Sequence, residues 1–213
     1  MNNIINLTKL SWNNFLSIKK MTLLIVVAFS VAAFANSQFI LMLIGMVTYV
    51  IAYQTIAYEE SYKINYLISY LPVTKKQYIA SRYIFNLLSV FIGCLLFSVI
   101  YYICIKLNMP SVENIDYKMN LYIGIISSVT LICILNPVIF YFGVEKGRLA
   151  IMLIFMLLVL IPSMAQDSNL VKEIISRITN IKIDILVPVY VVVTIYISYL
   201  ISKFLYIKKE IVY

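Results

Sequence analysis

The stretch YIFNLLSVFIGCLLFSVIYYICI, residues 83–105, decides the fold of this chain. It contains no charged side chain, and it is bounded by Arg82 and Lys106. As an α-helix that rises about 1.5 Å per residue it would reach about 34 Å, enough to cross the hydrocarbon core of a bilayer. A soluble domain of ordinary composition does not contain such a segment, so the sequence predicts a membrane-spanning helix here.

The rest of the chain repeats this pattern. Hydrophobic residues make up 63% of the 213 residues and charged residues only 12%, which leaves no room for a separate soluble domain. We therefore predict an all-α integral membrane protein that forms one transmembrane domain, residues 1–213. Its six predicted spans are residues 21–35, 39–57, 83–105, 121–142, 149–165 and 185–201.

Polar side chains recur every three or four residues in the first twenty positions, at Asn6, Lys9, Asn13, Ser17 and Lys20. The opposite side of the same helix is apolar and carries a tryptophan. This pattern predicts an amphipathic helix over residues 1–20 that lies in the membrane interface. The alternative is an extension of the first span into the cytoplasm.

Three local features are expected in the second half of the chain. Pro137 removes one backbone donor and predicts a bend in the fourth span. Residues 145–148 are polar and predict a short turn between the fourth and fifth spans. Apolar residues at helical spacing within residues 170–178 predict a short surface helix between the fifth and sixth spans.

The basic residues indicate the orientation. If both termini face the cytoplasm, twelve of the seventeen basic residues lie on the cytoplasmic side, as the positive-inside rule requires. They are Lys9, Lys19, Lys20, Lys63, Lys75, Lys76, Arg82, Lys146, Arg148, Lys203, Lys208 and Lys209. The formal net charge of +8 is thus explained without nucleic acid as a partner. We predict a multi-pass protein of the cell membrane with both termini in the cytoplasm.

The composition argues against an enzyme. The chain contains no histidine, and its three cysteines, Cys94, Cys104 and Cys133, lie within apolar stretches. We therefore expect no catalytic, cofactor-binding or metal-binding residue on this chain. An intramembrane protease is the enzymatic alternative, because an acidic pair occurs at positions 59 and 60, but the arginine that such a motif needs is replaced by Ile64.

The connection YEESYKINYLISYLPVTKKQYIASR, residues 58–82, is more elaborate than a simple loop. Tyrosines recur every fourth residue from Tyr58 to Tyr70, which predicts a helix that continues out of the second span and ends before Pro72. Thr74 and Gln77 then form a capping-box pattern that begins the next helix. The spacing predicts a rigid helix, turn and helix that docks a protein partner. The alternative is a solvated loop with aromatic residues at the headgroup boundary.

These residues resemble the permease subunits of type-2 ABC exporters. The resemblance lies in the acidic pair Glu59 and Glu60, in the stretch formed by Ser69, Leu71, Pro72, Val73, Thr74 and Lys75, and in Arg82 at the start of the third span. It implies that residues 58–82 form a cytoplasmic coupling helix that fits a groove of an ATPase. The implied ATPase-coupling residues are Glu59, Glu60, Tyr62, Tyr66, Tyr70, Leu71, Pro72, Val73, Thr74, Lys75 and Lys76.

The resemblance also implies the partners. No G-x-x-x-x-G-K-[ST] loop is present in the sequence, so ATP is expected to be bound by a separate cytoplasmic ABC ATPase subunit. A second permease chain, identical or related, and membrane lipid are the other expected partners. The exported substrate would be an amphipathic peptide, a toxin, an antibiotic or a lipid-like molecule. The alternative is a membrane immunity or sensory protein that binds a cytoplasmic partner without transport.

Overall fold

The computed structural model describes residues 2–35, 37–64, 68, 70–109, 116–165 and 183–208. In these ranges the regular secondary structure is helical, without a strand, and the prediction of an all-helical protein is confirmed. The helices are α1 (Asn2–Ser17), α2 (Lys19–Ala35), α3 (Ser37–Ser61), α4 (Lys75–Lys106), α5 (Tyr117–Ala165) and α6 (Ile183–Lys208).

Within the described residues, three helical segments are long and apolar enough to cross a membrane, namely Lys75–Lys106, Tyr117–Leu149 and Ile185–Tyr206. They coincide with the predicted third, fourth and sixth spans. Asn3–Ser17 and Lys19–Phe34 meet at a bend of 73° and would add a fourth candidate if they formed one broken span. The coarse architecture is that of a multi-helix membrane protein, and the count of six spans stays a prediction.

The first helix has two different sides. Leu7, Ser11 and Asn14 are buried where α1 packs against α3 and α4, whereas Trp12 and Leu16 are exposed. The bend toward α2 follows Ser17, where the Ile18 amide donates to the Phe15 carbonyl at 3.1 Å and tightens the last turn. A separate helix over most of the predicted segment 1–20 is therefore present.

The prediction of a turn at residues 145–148 is wrong. These residues are helical, and the non-helical backbone within α5 lies at Gly143, with φ 80° and ψ 176°. Pro137 lies within the helix before that break and keeps helical backbone angles. Glycine adopts a positive φ without the steric cost that other residues pay, so the chain breaks at Gly143 and the helix resumes at Val144. The surface helix predicted over residues 170–178 lies outside the described residues.

The main apolar core lies where α3 packs against α4. Ile40, Ile44 and Val47 of α3 and Phe85 and Phe97 of α4 belong to one buried cluster. Gly93 of α4 permits the close approach, since a Cβ atom there would lie 3.1 Å from the Ile44 carbonyl oxygen. Small residues at helix contacts favour packing in membranes, where the hydrophobic effect does not drive helices together.

Candidate functional site

A buried ion pair closes the base of the connection between α3 and α4. Glu59, in the last turn of α3, pairs with Arg82 of α4, and each residue is only 1% exposed. Asn14 of α1 donates from Nδ2 to Glu59 Oε1 at 2.9 Å. One carboxylate thus joins three helices. Buried charges are costly unless they are paired, so removing one partner is expected to disturb all three helices.

Arg82 extends this contact toward the last two helices. Its Nη2 donates to the Tyr78 hydroxyl at 3.0 Å, and its guanidinium carbon lies 5.1 Å from the centre of the Tyr78 ring. The Tyr78 ring in turn lies 6.1 Å from the Phe140 ring of α5 and 5.8 Å from the Tyr206 ring of α6. We call Tyr78, Phe140 and Tyr206 the aromatic cluster. It connects the start of α4 to α5 and α6.

The neighbouring carboxylate, Glu60, serves a different helix. Its Oε2 accepts a hydrogen bond from the Val144 amide at 2.7 Å. Val144 follows the break at Gly143, so this amide belongs to the first turn of the second section of α5. The first amides of a helix lack partners within the helix, and a negative charge there also interacts favourably with the helix dipole. Glu60 therefore caps a helix that is remote in sequence.

Two further polar contacts lie along α4. The Tyr83 hydroxyl lies 2.6 Å from Ser198 Oγ and 2.8 Å from Ser202 Oγ, both on α6. Asn86 donates from Nδ2 to Asn136 Oδ1 of α5 at 2.8 Å. All five side chains are buried within apolar surroundings. Hydrogen bonds between membrane helices contribute about 0.6 kcal/mol each on average, so these contacts add a modest, directional stabilisation to the packing of α4 against α5 and α6.

The connecting segment, residues 62–74, extends beyond this base. The predicted capping box is confirmed: Thr74 Oγ1 accepts from the Gln77 amide at 3.3 Å, and Gln77 Oε1 accepts from the Thr74 amide at 3.1 Å. The helix that was predicted to continue past Tyr58 as far as Pro72 ends at Ser61. Ile64 and Ile68 are again helical, and residues 65–67 and 69 lie outside the described residues. Lys63 has a positive φ of 52°, so the chain turns immediately after α3.

The predicted coupling residues fall into two groups. Glu59 is buried, and Glu60, Val73 and Lys75 are half-buried at the base. Tyr66 lies outside the described residues. The others point to solvent, with Tyr70 80% exposed, Tyr62 66% exposed and Leu71 48% exposed. The remaining exposed members are Pro72, Thr74 and Lys76. The structure therefore separates an inner polar base from an outer surface that is rich in apolar and aromatic area.

Several residues of the base were missed by the sequence analysis. Asn14 holds Glu59, and Gly143 and Val144 receive Glu60. One signal was available for Asn14: it shares a helix face with Leu7 and Ser11, the side of α1 that turns away from its lysine. No sequence pattern indicated the partner of Glu60, because that contact joins residues far apart in the chain.

Among the described residues, three helices are long and apolar enough to cross a bilayer, and such a bundle is that of a multi-pass helical membrane protein. A family model described as ABC-2 family transporter protein matches residues 9–207. The chain therefore belongs to the ABC-2 transporter family, whose members are the transport membrane subunits of ABC transporters and act with an ABC ATPase. No curated protein and no solved structure matches the chain.

Proposed function

We propose that this chain is the permease subunit of an ATP-driven exporter in the cell membrane, and that a separate ABC ATPase docks on its connecting segment. One observation carries the proposal: exposed Tyr62, Tyr70 and Leu71 extend from a base that is fixed by the Glu59–Arg82 ion pair. Tyrosine is enriched among the residues that dominate the binding energy of protein interfaces. An exposed aromatic surface on a firmly held base suits a partner that exerts force.

The two groups of residues have different roles in this proposal. The exposed members form the docking surface, namely Tyr62, Tyr70, Leu71, Pro72, Thr74 and Lys76. Tyr66 is assigned to this surface from the sequence alone, and Val73 and Lys75 lie half-buried at its edge. Glu59 and Glu60 do not touch the ATPase. They are positioning residues, because Glu59 joins α1, α3 and α4 and Glu60 caps the second section of α5. A push on the connecting segment would then reach four helices at once.

ATP belongs to the partner in this scheme. The sequence contains no Walker-type phosphate loop, so the permease would respond to nucleotide only through the docked ATPase. The chain itself is a transport subunit rather than an enzyme. We therefore expect this chain to bind the ATPase while binding no nucleotide itself.

The proposed topology has six spans and both termini in the cytoplasm. The first three predicted spans overlap α2, α3 and α4 in turn, and the sixth overlaps α6. The fourth and fifth overlap the two sections of α5 on either side of Gly143. The 73° bend at Ile18 supports α1 as an interfacial helix beside the first span. Glu59 neutralises Arg82, so Arg82 contributes little to the orientation. The other basic residues on the same side still favour cytoplasmic termini.

Cysteine labelling tests the topology. In a background without Cys94, Cys104 and Cys133, an impermeant thiol reagent added outside cells should react with Lys106→Cys and not with Ser61→Cys. Both positions are exposed in the structure. Reaction at Ser61→Cys alone would reverse the orientation and remove the connecting segment from the reach of a cytoplasmic ATPase.

The proposed substrate is amphipathic: a peptide, a toxin, an antibiotic or a lipid-like molecule. Among the described residues, the buried charged side chains are Glu59 and Arg82, which neutralise each other, and the other buried polar groups are neutral. Such an interior suits apolar or amphipathic cargo better than ions. A single chain of this size cannot enclose a path for such cargo, so we propose that two permease chains, identical or related, form the transporter.

Copurification and reconstitution test the function together. A tagged chain should copurify with an ABC ATPase, and the rate of ATP hydrolysis should rise when the two are reconstituted in lipid vesicles. Export of an amphipathic peptide or lipid should then require ATP. A stable partner without a nucleotide-binding site would instead favour the immunity or sensory alternative. ATP-independent uptake of a small ion would contradict the exporter.

A further inference from the structure

We propose that the groove between α1 and α4 is a binding site for one anionic phospholipid. The proposal rests on the proposed location of α1 at the cytoplasmic membrane surface. It adds a lipid contact that the exporter model does not require. The lipid phosphate would lie beside Lys9, and one acyl chain would lie along α4.

The groove has a volume of about 350 Å³ and two chemically different walls. Lys9, Trp12 and Asn13 of α1 lie along its lining, and Ile84 and Leu88 of α4 form an apolar wall. Ile84 and Leu88 are one helical turn apart, about 6 Å along the axis. A linear acyl chain can lie against this wall while its headgroup remains at the level of α1.

The charge of the groove selects the headgroup. No acidic residue precedes Glu59 in the sequence, so α1 and α2 carry basic residues alone. Within the described part of the chain no carboxylate pairs with Lys9. Asn13 is exposed and supplies a neutral donor beside it. A phosphate group with a net negative charge is complementary to this rim, whereas a zwitterionic headgroup gains less.

The same charge argues against a second copy of this chain as the occupant. Two symmetry-related copies of this face would bring their two Lys9 side chains together, and like charges in close contact repel each other. Trp12 has the amphipathic ring that is typical of the headgroup level, and it lies 5.5 Å from the Phe15 ring. These features favour a lipid over a protein chain.

Trp12 supplies a direct measurement, because it is the only tryptophan of the chain. The full chain is reconstituted in phosphatidylcholine vesicles that contain a small fraction of phosphatidylglycerol, with bromine on the acyl chains of one lipid or the other. Bromine quenches tryptophan fluorescence on contact. Brominated phosphatidylglycerol should quench Trp12 more strongly than an equal fraction of brominated phosphatidylcholine.

The matched variants separate a site from general surface charge. Lys9→Gln should reduce the preference for phosphatidylglycerol about fivefold, as expected for one lysine near an anionic headgroup. Lys20→Gln removes the same charge from α2, outside the groove, and should retain the preference. Leu88→Phe narrows the groove without adding a second tryptophan. This variant should weaken the quenching of Trp12 by brominated phosphatidylglycerol.

Three results would overturn the lipid site: equal quenching by the two brominated lipids, equal loss in Lys9→Gln and Lys20→Gln, or quenching by both lipids that falls as the protein-to-lipid ratio rises. The last result would indicate that a second copy covers Trp12. Each would leave the proposed exporter intact, because ATPase association is measured separately, at the connecting segment, whose residues do not line the groove.

Discussion

The two ends of α4 are built from different interactions. At its start, Arg82 pairs with Glu59 and donates to the Tyr78 hydroxyl. The Tyr83 hydroxyl contacts Ser198 and Ser202 of α6, so an ion pair and hydrogen bonds accompany the aromatic cluster at this end. Toward its other end, the rings of Phe97 and Tyr101 of α4 and of Tyr117 of α5 contact one another, with ring centres 5.1–5.9 Å apart. Directional polar contacts in an apolar environment fix one geometry, whereas aromatic packing tolerates small shifts. We expect the start of α4 to set the position of the connecting segment.

Removing Arg82 should have the largest effect. Arg82→Ala leaves the Glu59 carboxylate buried without its cation, which typically costs roughly 3–5 kcal/mol. We expect a strong loss of protein from the membrane fraction and a lower Tm in detergent. Both quantities are measured on the tagged chain.

A double variant tests whether the loss of stability in Arg82→Ala comes from the unpaired Glu59 carboxylate or from the loss of the ion pair itself. Replacing a buried ion pair by apolar residues of similar size is often neutral. Glu59→Leu combined with Arg82→Met should therefore recover most of the abundance that Arg82→Ala loses. If the double variant is as unstable as Arg82→Ala, the charge is not the cause of the loss.

The break in α5 should produce the next largest effect. Gly143→Ala forces a side chain onto a backbone with φ 80°, and its Cβ would lie 3.1 Å from Glu60 Oε1. Such strain costs about 1–3 kcal/mol. Gly147→Ala is the matched control, because its Cβ would make ordinary contact at 3.4 Å with Ile139. Thermal melting should show a lower Tm for Gly143→Ala alone, and equal Tm values would refute the role of the break.

A pair of identical substitutions compares the two ends of α4 directly. Tyr83→Phe removes buried contacts to Ser198 and Ser202, whereas Tyr117→Phe removes one exposed contact to Ser98 at 3.0 Å. The first should cost about 0.6–1.7 kcal/mol, from the average to the largest value measured for hydrogen bonds between membrane helices. The second should leave the Tm close to that of the unmodified chain. An equal decrease in both would show that the polar contacts at the start of α4 have no special role.

The sequence predicts the helices better than their contacts. The uncharged stretch 83–105 and the capping box at Thr74 depend on residues close together in the chain, and the structure has both a helix long and apolar enough to span a membrane and the capping box. The break at Gly143 could not be placed, because polar residues at 145–148 suit a first helical turn as well as a loop. The contacts of Glu59 and Glu60 join distant residues, and no local pattern encodes them.

The central claim is that the connecting segment docks an ABC ATPase, and the affinity of that ATPase for two matched variants tests it most directly. Tyr70→Ala truncates an 80% exposed ring on the connecting segment, and Tyr102→Ala truncates a 64% exposed ring near the other end of α4. Loss of a central interface anchor costs about 2 kcal/mol or more, which corresponds to about thirtyfold or more in Kd. We predict that Tyr70→Ala weakens binding of the copurified ATPase by about thirtyfold at unchanged membrane abundance, while Tyr102→Ala binds like the unmodified chain. Equal affinity for all three proteins, or a loss in Tyr102→Ala alone, would contradict the account.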